Sequence, residues 1–285
     1  MRIKQLFFIF CTIPFLFIAS NLSAGIEIKN GDRIVFFGDD ITAQGNLDAG
    51  YINFVTSALQ ENGIKTVKIP AGMMWNNSSA LLARLQRDVL KRKPQILILN
   101  CGVSDARTGK RTPIKKFKSD ITQIVEKAQA ANIKVYILTA TMLTENIHHS
   151  RLNRRLQPYN DCLRQIAKDK NCTLVDLYND MEQTRKQIRK VYPGLRNGIL
   201  TYDGIHMNPM GNIVIARSLL QAFGMTQEQI TKGSANWIYR RCILGDNAID
   251  FSVWEYLKLA EKAFAARSDV PNFIRRIITR KLKEK

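Results

Sequence analysis

The sequence predicts an α/β fold, a five-stranded parallel sheet with helices on both faces followed by a helical segment. Two observations carry this. Five short apolar runs of strand length, rich in Val, Ile, Leu, Phe or Tyr, recur along the chain. Between them lie longer stretches whose apolar residues return with helical period, the alternation expected of βαβ units. Composition agrees: 285 residues, 45% hydrophobic and 24% charged, describe a folded globular chain. A disordered tail, a collagen-like fibre and a polytopic membrane protein are excluded, and five cysteines are too few for a disulfide-stapled scaffold.

The N-terminus comes first. Arg2 and Lys4 precede an apolar run from Leu6 to Ala19, interrupted by Pro14, and Ser23-Ala24-Gly25 follows. A basic start, a short hydrophobic core and a small residue at the cut describe a secretory signal, expected to be cleaved after Ala24. The run falls short of the ~20 residues of a membrane-spanning helix. Residues 1–24 are therefore expected to direct the protein to the periplasm or beyond the cell, leaving a domain over 25–224 and a basic helical extension over 225–285.

The strands are read as Arg33–Phe37, Thr66–Pro70, Gln95–Asn100, Lys134–Thr139 and Thr173–Leu177. Helical faces are marked by Ala80, Leu81, Leu85, Val89 and Leu90, then by Phe117, Ile121, Ile124, Val125 and Ala128. A third is marked by Leu152, Leu156, Tyr159, Leu163, Ile166 and Ala167. A further helix runs from Pro209 to Phe223 and stops at Gly224. Beyond it, Trp254, Leu257, Leu259 and Phe264 suggest one helix, and Phe273, Ile277 and Ile278 a basic terminal one. Cys162 and Cys172 lie near enough in sequence to be candidates for a bridge in an oxidising compartment, whereas Cys101 ends an apolar strand and reads as a buried thiol.

The formal charge is +19, and removal of the signal leaves +17. Basic residues gather at 84–93, 107–118, 151–155, 185–190 and 275–285. For an exported protein such clusters suit an anionic polysaccharide or membrane surface, or are simply solvated helix faces. Nucleic acid is disfavoured as a partner, because no helix-turn-helix, zinc or aromatic RNA-binding pattern accompanies the charge. No cofactor is expected and no metal site is evident; His148-His149 has no ligand-spaced partners and reads as surface loop.

In parallel sheets the ligand site lies beyond the carboxyl ends of the strands. Those positions carry Gly38-Asp39-Asp40-Ile41-Thr42, then Ala71 to Asn77, then Gly102-Val103-Ser104-Asp105. Near the end, Asp203 stands three residues before His206, one of three histidines in the chain, close enough to orient the ring of a base. Together FFGDDIT, PAGMMW, CGVSD and DGIHMNPMGN, with Tyr159-Asn160 before LRQIA, resemble in order the blocks of the SGNH hydrolases, the GDSL esterase/lipase superfamily. The resemblance spans Gly31 to Gly224.

That resemblance implies a flavodoxin-like three-layer α/β/α sandwich and hydrolysis of small O-acyl esters, acetyl esters on carbohydrate among them. It assigns His206 as base, Asp203 as its orienter, Gly72 and the residue at 104 as oxyanion donors, and position 40 as nucleophile. Two positions depart from the pattern: the nucleophilic serine is Asp40 and the oxyanion asparagine is Ser104. An ionised carboxylate has no proton to give and opposes an oxyanion, while a serine hydroxyl still donates one hydrogen bond. Three readings follow. Asp40 attacks, or positions a water with His206; or the site is catalytically inactive and binds glycan; or Ser104 or Thr42 is the nucleophile. Trp75, Asn76 and Asn77 are candidates to face a sugar, and Glu145 to line the entrance.

Overall fold

The computed structural model describes residues 26–107, 111–146, 150–244 and 249–283. The signal segment and His148-His149 lie outside them. Among the described residues no helix is long and apolar enough to cross a membrane.

The sheet is built from β1 (Arg33–Gly38), β2 (Val67–Gly72), β3 (Ile96–Asn100), β4 (Lys134–Leu138) and β5 (Thr173–Val175), all parallel in the order β2-β1-β3-β4-β5. β1, β3 and β4 are buried on both faces almost throughout, which is why they appear as unbroken apolar runs rather than alternating ones. β2 is an edge strand, with Val67 exposed.

Two helical layers cover the sheet. One contains α3 (Ser78–Asp88), α5 (Ile114–Ala130) and α7 (Gln157–Asp169), packed in succession. The other contains α2 (Tyr51–Glu61), α8 (Leu177–Val191) and α9 (Pro209–Ala222). Three short helices, α1 (Asp40–Gln44), α4 (Val103–Ala106) and α6 (Ser150–Asn153), follow β1, β3 and β4. The chain leaves β1 toward β2 and then crosses back to β3, so the topological switch lies between the C-terminal ends of β1 and β3.

α2 and α8 were not among the expected helices. α2 buries Tyr51, Ile52, Phe54, Val55, Ala58 and Leu59, an i, i+3, i+4, i+7 stripe readable in the sequence. The inward stripe of α8 includes Thr184 and Arg185 beside Met181 and Ile188, so its amphipathicity is disguised. The four cysteines of the described chain are free: Cys162 and Cys172 are not bridged, and Cys101 is a buried thiol.

After α9 come α10 (Gln227–Ser234), an antiparallel hairpin of β6 (Arg241–Leu244) and β7 (Ile249–Ser252), α11 (Val253–Ala265) and α12 (Val270–Lys283). The hairpin has no counterpart in the expected helical extension. A capping box formed by Ser252 and Glu255 starts α11. Trp237 stacks on Phe54 of α2 at 4.7 Å, Tyr256 meets Tyr202, and Phe264 meets Tyr192, so this segment shares one apolar core with the sheet domain. Trp237→Ala is expected to lower unfolding free energy by about 3–5 kcal/mol in urea titrations. A loss under about 1 kcal/mol would show the contact to be dispensable.

Candidate active site

β1 delivers Asp39 and Asp40 to the switch point. The Asp39 carboxylate accepts the Ile41 N–H at 3.1 Å and caps α1, and Asp40 is the first residue of that helix. Asp40 is fully buried. One of its oxygens accepts the Ser104 hydroxyl at 2.9 Å and the other the Trp75 backbone N–H at 3.2 Å. Position 40 therefore meets the 104 side chain across the switch.

The second-strand N–H that bonds to Asp40 is that of Trp75 rather than that of Gly72. Gly72 closes β2 opposite Gly38, and a Cβ there would lie 2.2 Å from the Ala43 nitrogen, so its role is close packing of β2 against α1. The N–H that reaches Asp40 is that of Trp75, whose backbone is left-handed at φ +64°. Trp75 is 68% exposed, with the Arg107 guanidinium 4.6 Å from its ring centroid.

Asn76 and Asn77 serve the framework rather than facing a sugar. The Asn76 side-chain oxygen accepts Arg84 Nε at 2.8 Å; Arg84 also donates to the carbonyls of Gly38 at 2.8 Å and Ala71 at 2.9 Å, tying together the tips of β1 and β2. Asn77 caps α3 through the Ala80 N–H and donates to Thr112. Thr42 is buried and accepts the Tyr51 hydroxyl at 3.2 Å, which removes it as a nucleophile.

His206 approaches on a loop fixed by local bonds. Asp203 accepts the Ile205 and His206 N–H groups at 2.9 and 2.8 Å, an Asx turn that folds its carboxylate back on the ring. The His206 Nδ1 to Asp203 Oδ2 distance is 2.6 Å. Asn208 caps α9, and an isolated bridge between Thr201 and Met207 closes the loop. A carboxylate only accepts, so Nδ1 carries the proton and Nε2 presents the lone pair of the neutral ring. Nε2 is buried with no hydrogen-bond partner among the described residues.

Glu145 does not line the entrance. It is fully buried, its carboxylate accepts the Ile199 and Leu200 N–H groups at 2.8 and 2.5 Å, and it anchors the start of the His206 loop. Arg107, read in the sequence only as one member of a basic cluster, reaches this site with a buried Nη1 that has no hydrogen-bond partner among the described residues. The signal that could have found it is chemical: an added anion at position 40 calls for a nearby cation.

Electrostatics follow from these neighbours. The hydrogen bond to Asp203 raises the His206 pKa against the opposing effect of burial; the charge of Asp40 adds to the rise and that of Arg107 opposes it. Burial works against ionised Asp203, but the His206 ring and the two loop N–H groups outweigh it and hold this carboxyl well below its usual range. Burial, then the Asp40 charge, push Asp39 up to about 7. The arrangement supplies an oriented base, a cation beside it, and a buried carboxylate already holding two donors.

Residues 36–212 match the model of the GDSL-like Lipase/Acylhydrolase family. An acetylxylan esterase of Geobacillus stearothermophilus is 25% identical over 222 residues, which cover 70% of this chain and 97% of that protein. An uncharacterized lipoprotein, YqeF, of Bacillus subtilis (strain 168) is 25% identical over 227 residues, 70% of this chain and 93% of its own. The crystal structure of an acetyl xylan esterase, AlAXEase, is 31% identical with a TM-score of 0.60, covering 67% of this chain and 98% of that one.

The raised Asp39 pKa has a definite sign in stability. The folded state holds this proton more tightly than an ordinary carboxyl at 3.8, so the stability it contributes is full below 3.8 and declines as pH rises toward 7. Asp39→Asn keeps an oxygen for the Ile41 N–H without the titration. The variant's thermal midpoint is expected to fall less than wild type between pH 4 and 7. Parallel curves would overturn this.

Proposed function

The chain belongs to the GDSL-like lipase/acylhydrolase family, and we propose that it is an exported hydrolase of O-acetyl esters on carbohydrate in which His206 activates a water. The observation that carries this reading is the His206 ring itself: Nδ1 tied to Asp203, Nε2 buried and without a hydrogen-bond partner among the described residues. Its acetylxylan esterase relatives support an acetylated glycan as substrate class.

In the proposed step, neutral His206 Nε2 takes a proton from water as the water oxygen bonds to the acetyl carbonyl carbon. Asp203 keeps the ring oriented and, with Asp40, stabilises the imidazolium that forms. The carbonyl oxygen gains the charge and faces Arg107, whose Nη1, without a partner among the described residues, replaces the donors that Asp40 occupies. The tetrahedral adduct then expels the sugar oxygen, which takes the proton from His206; a free hydroxyl and acetic acid result, and the acid loses its proton to solvent as acetate. Asp40 is assigned a fixed electrostatic role, because its carboxylate is fully buried and both oxygens are engaged.

A second reading rests on one specific observation: the Ser104 hydroxyl and the Trp75 N–H, donors that would otherwise meet an oxyanion, are both held by Asp40. In that reading the cleft binds acetylated glycan without cleaving it. Asp40→Ser separates the two: a variant and wild type both silent on acetyl esters favour the binder.

For wild type, kcat/KM on acetylated xylo-oligosaccharides should fall as pH drops through a His206 pKa above the ordinary 6.5, since only the neutral ring is a base. His206→Ala should cost roughly 10²–10⁴-fold. Arg107→Met should cost roughly 10²–10³-fold and move the midpoint upward, because Arg107 lowers the His206 pKa; Asp203→Asn should move it downward. Activity that survives His206→Ala, or midpoints moving the other way, would falsify the assignment. Export is tested separately by N-terminal sequencing of the secreted protein, expected to begin at Gly25.

A further inference from the structure

We propose that a second cavity, walled by α6, α7 and α8 and separate from the catalytic cleft, is a subsite for an anionic substituent of the glycan, a carboxylate or sulfate group. The proposal rests on the carbohydrate reading of the preceding subsection and adds the substrate's charge to it.

The cavity measures about 590 Å³, within the range of ligand sites. It opens beside the C-terminal ends of β4 and β5. Its lining contains no aliphatic side chain: amides such as Asn153, Gln157 and Asn179, one tyrosine, Tyr178, and charged groups make it up. Amides and a half-buried tyrosine suit sugar hydroxyls and a ring face.

The charges do not balance. Five cations line the cavity against two carboxylates, Asp176 and Glu182. Asp176 is taken by Arg164 at 2.9 Å and Glu182 by Arg185. Arg154 and Lys186 at the rim make no ion pair among the described residues, and Arg189 donates only to carbonyl oxygens there. Arg185 is 3% exposed, yet its Nε is buried without a hydrogen-bond partner among the described residues. A buried guanidinium with an idle N–H costs free energy unless something accepts from it, and an oxyanion is the acceptor that also offsets the surplus charge. Burial, then the charge of Arg185, lower the Arg189 pKa, and the carboxylates of Glu145 and Glu182 only partly oppose them.

The cavity shares a wall with the catalytic loop. Arg185 and Arg189 donate to the Glu145 carbonyl at 2.6 and 2.9 Å, and the Glu145 carboxylate receives the N–H groups of Ile199 and Leu200 that lead into Asp203 and His206. Gly204 of that loop lies against Thr144, where a Cβ would come within 3.4 Å of the Thr144 Cα. The 143–146 segment thus joins the His206 loop to the cavity wall.

Binding, not turnover, tests this. The full chain carrying His206→Ala is titrated calorimetrically with neutral, uronate-bearing and sulfated oligosaccharides of matched length, and with inorganic sulfate. The charged oligosaccharides should bind at least tenfold more tightly than the neutral one. Arg154→Gln/Lys186→Gln should abolish that preference, whereas the charge-matched control Arg276→Gln/Lys283→Gln on α12 should retain it. Equal affinity for neutral and charged glycans overturns the subsite, as does a preference lost equally in the control pair. Inorganic sulfate binding as tightly as the sulfated oligosaccharide would identify a free-anion site and likewise overturn it. A charged-glycan preference in a protein whose wild type cleaves no acetyl ester would remove the hydrolase reading alone.

Discussion

The carboxylate of Asp40 stands just past the tip of β1 with both oxygens already accepting, one from the Ser104 hydroxyl and one from the Trp75 N–H. The rest of the cleft answers to that anion. Because carboxylates only accept, the two donors committed to Asp40 are withdrawn from any charge that develops on a substrate. The same charge raises the pKa of His206 and, second to burial, of the adjacent Asp39. Two consecutive buried carboxyls would be costly if both were ionised, and the rise of Asp39 toward neutrality relieves part of that cost. Arg84, clamped to the Gly38 and Ala71 carbonyls and lying over Phe37, fixes the strand tips beneath them.

Rigidity on the histidine side has a different origin. Asp203 bonds to two backbone N–H groups as well as the ring, Asn208 bonds to three carbonyls and two N–H groups, and Glu145 holds the stretch leading in. An imidazole held by this many local contacts loses little entropy on being fixed in place. The contacts that set Glu145 come from α8, so the loop bearing the base and the cationic cavity are joined through one buried residue.

The fold was legible where burial leaves a local trace. β1, β3 and β4 are uninterrupted apolar runs because both of their faces are covered, and the strand–helix alternation follows from parallel pairing. α8 escaped because Arg185 and Thr184 occupy inward positions, and the β6–β7 hairpin because four-residue strands carry little periodicity. In the site, Asp203 and His206 were readable since an Asx turn is a three-residue device. Trp75 as a donor was not, because a backbone N–H leaves no mark on the identity of its side chain. Glu145 and Arg107 were misjudged or missed for one reason: each acquires its role from partners far away in sequence, Ile199 and Leu200 for the first, the Trp75 ring and His206 for the second.

Charge conservation does not decide between attack by water and attack by Asp40. In the first, a proton moves to His206 as the oxyanion forms; in the second, the negative charge of Asp40 passes to the oxyanion as the acyl bond is made. Both leave the net charge of the cleft unchanged. Access decides. A carbonyl carbon would have to reach an oxygen of a residue with no exposed surface, displacing hydrogen bonds of 2.9 and 3.2 Å from two different strand ends. The His206 side chain is 18% exposed, and its Nε2 has no protein partner to give up among the described residues. Nε2 is itself buried, so the nucleophile that meets it is a small one such as water, and it does so without breaking a protein hydrogen bond among the described residues.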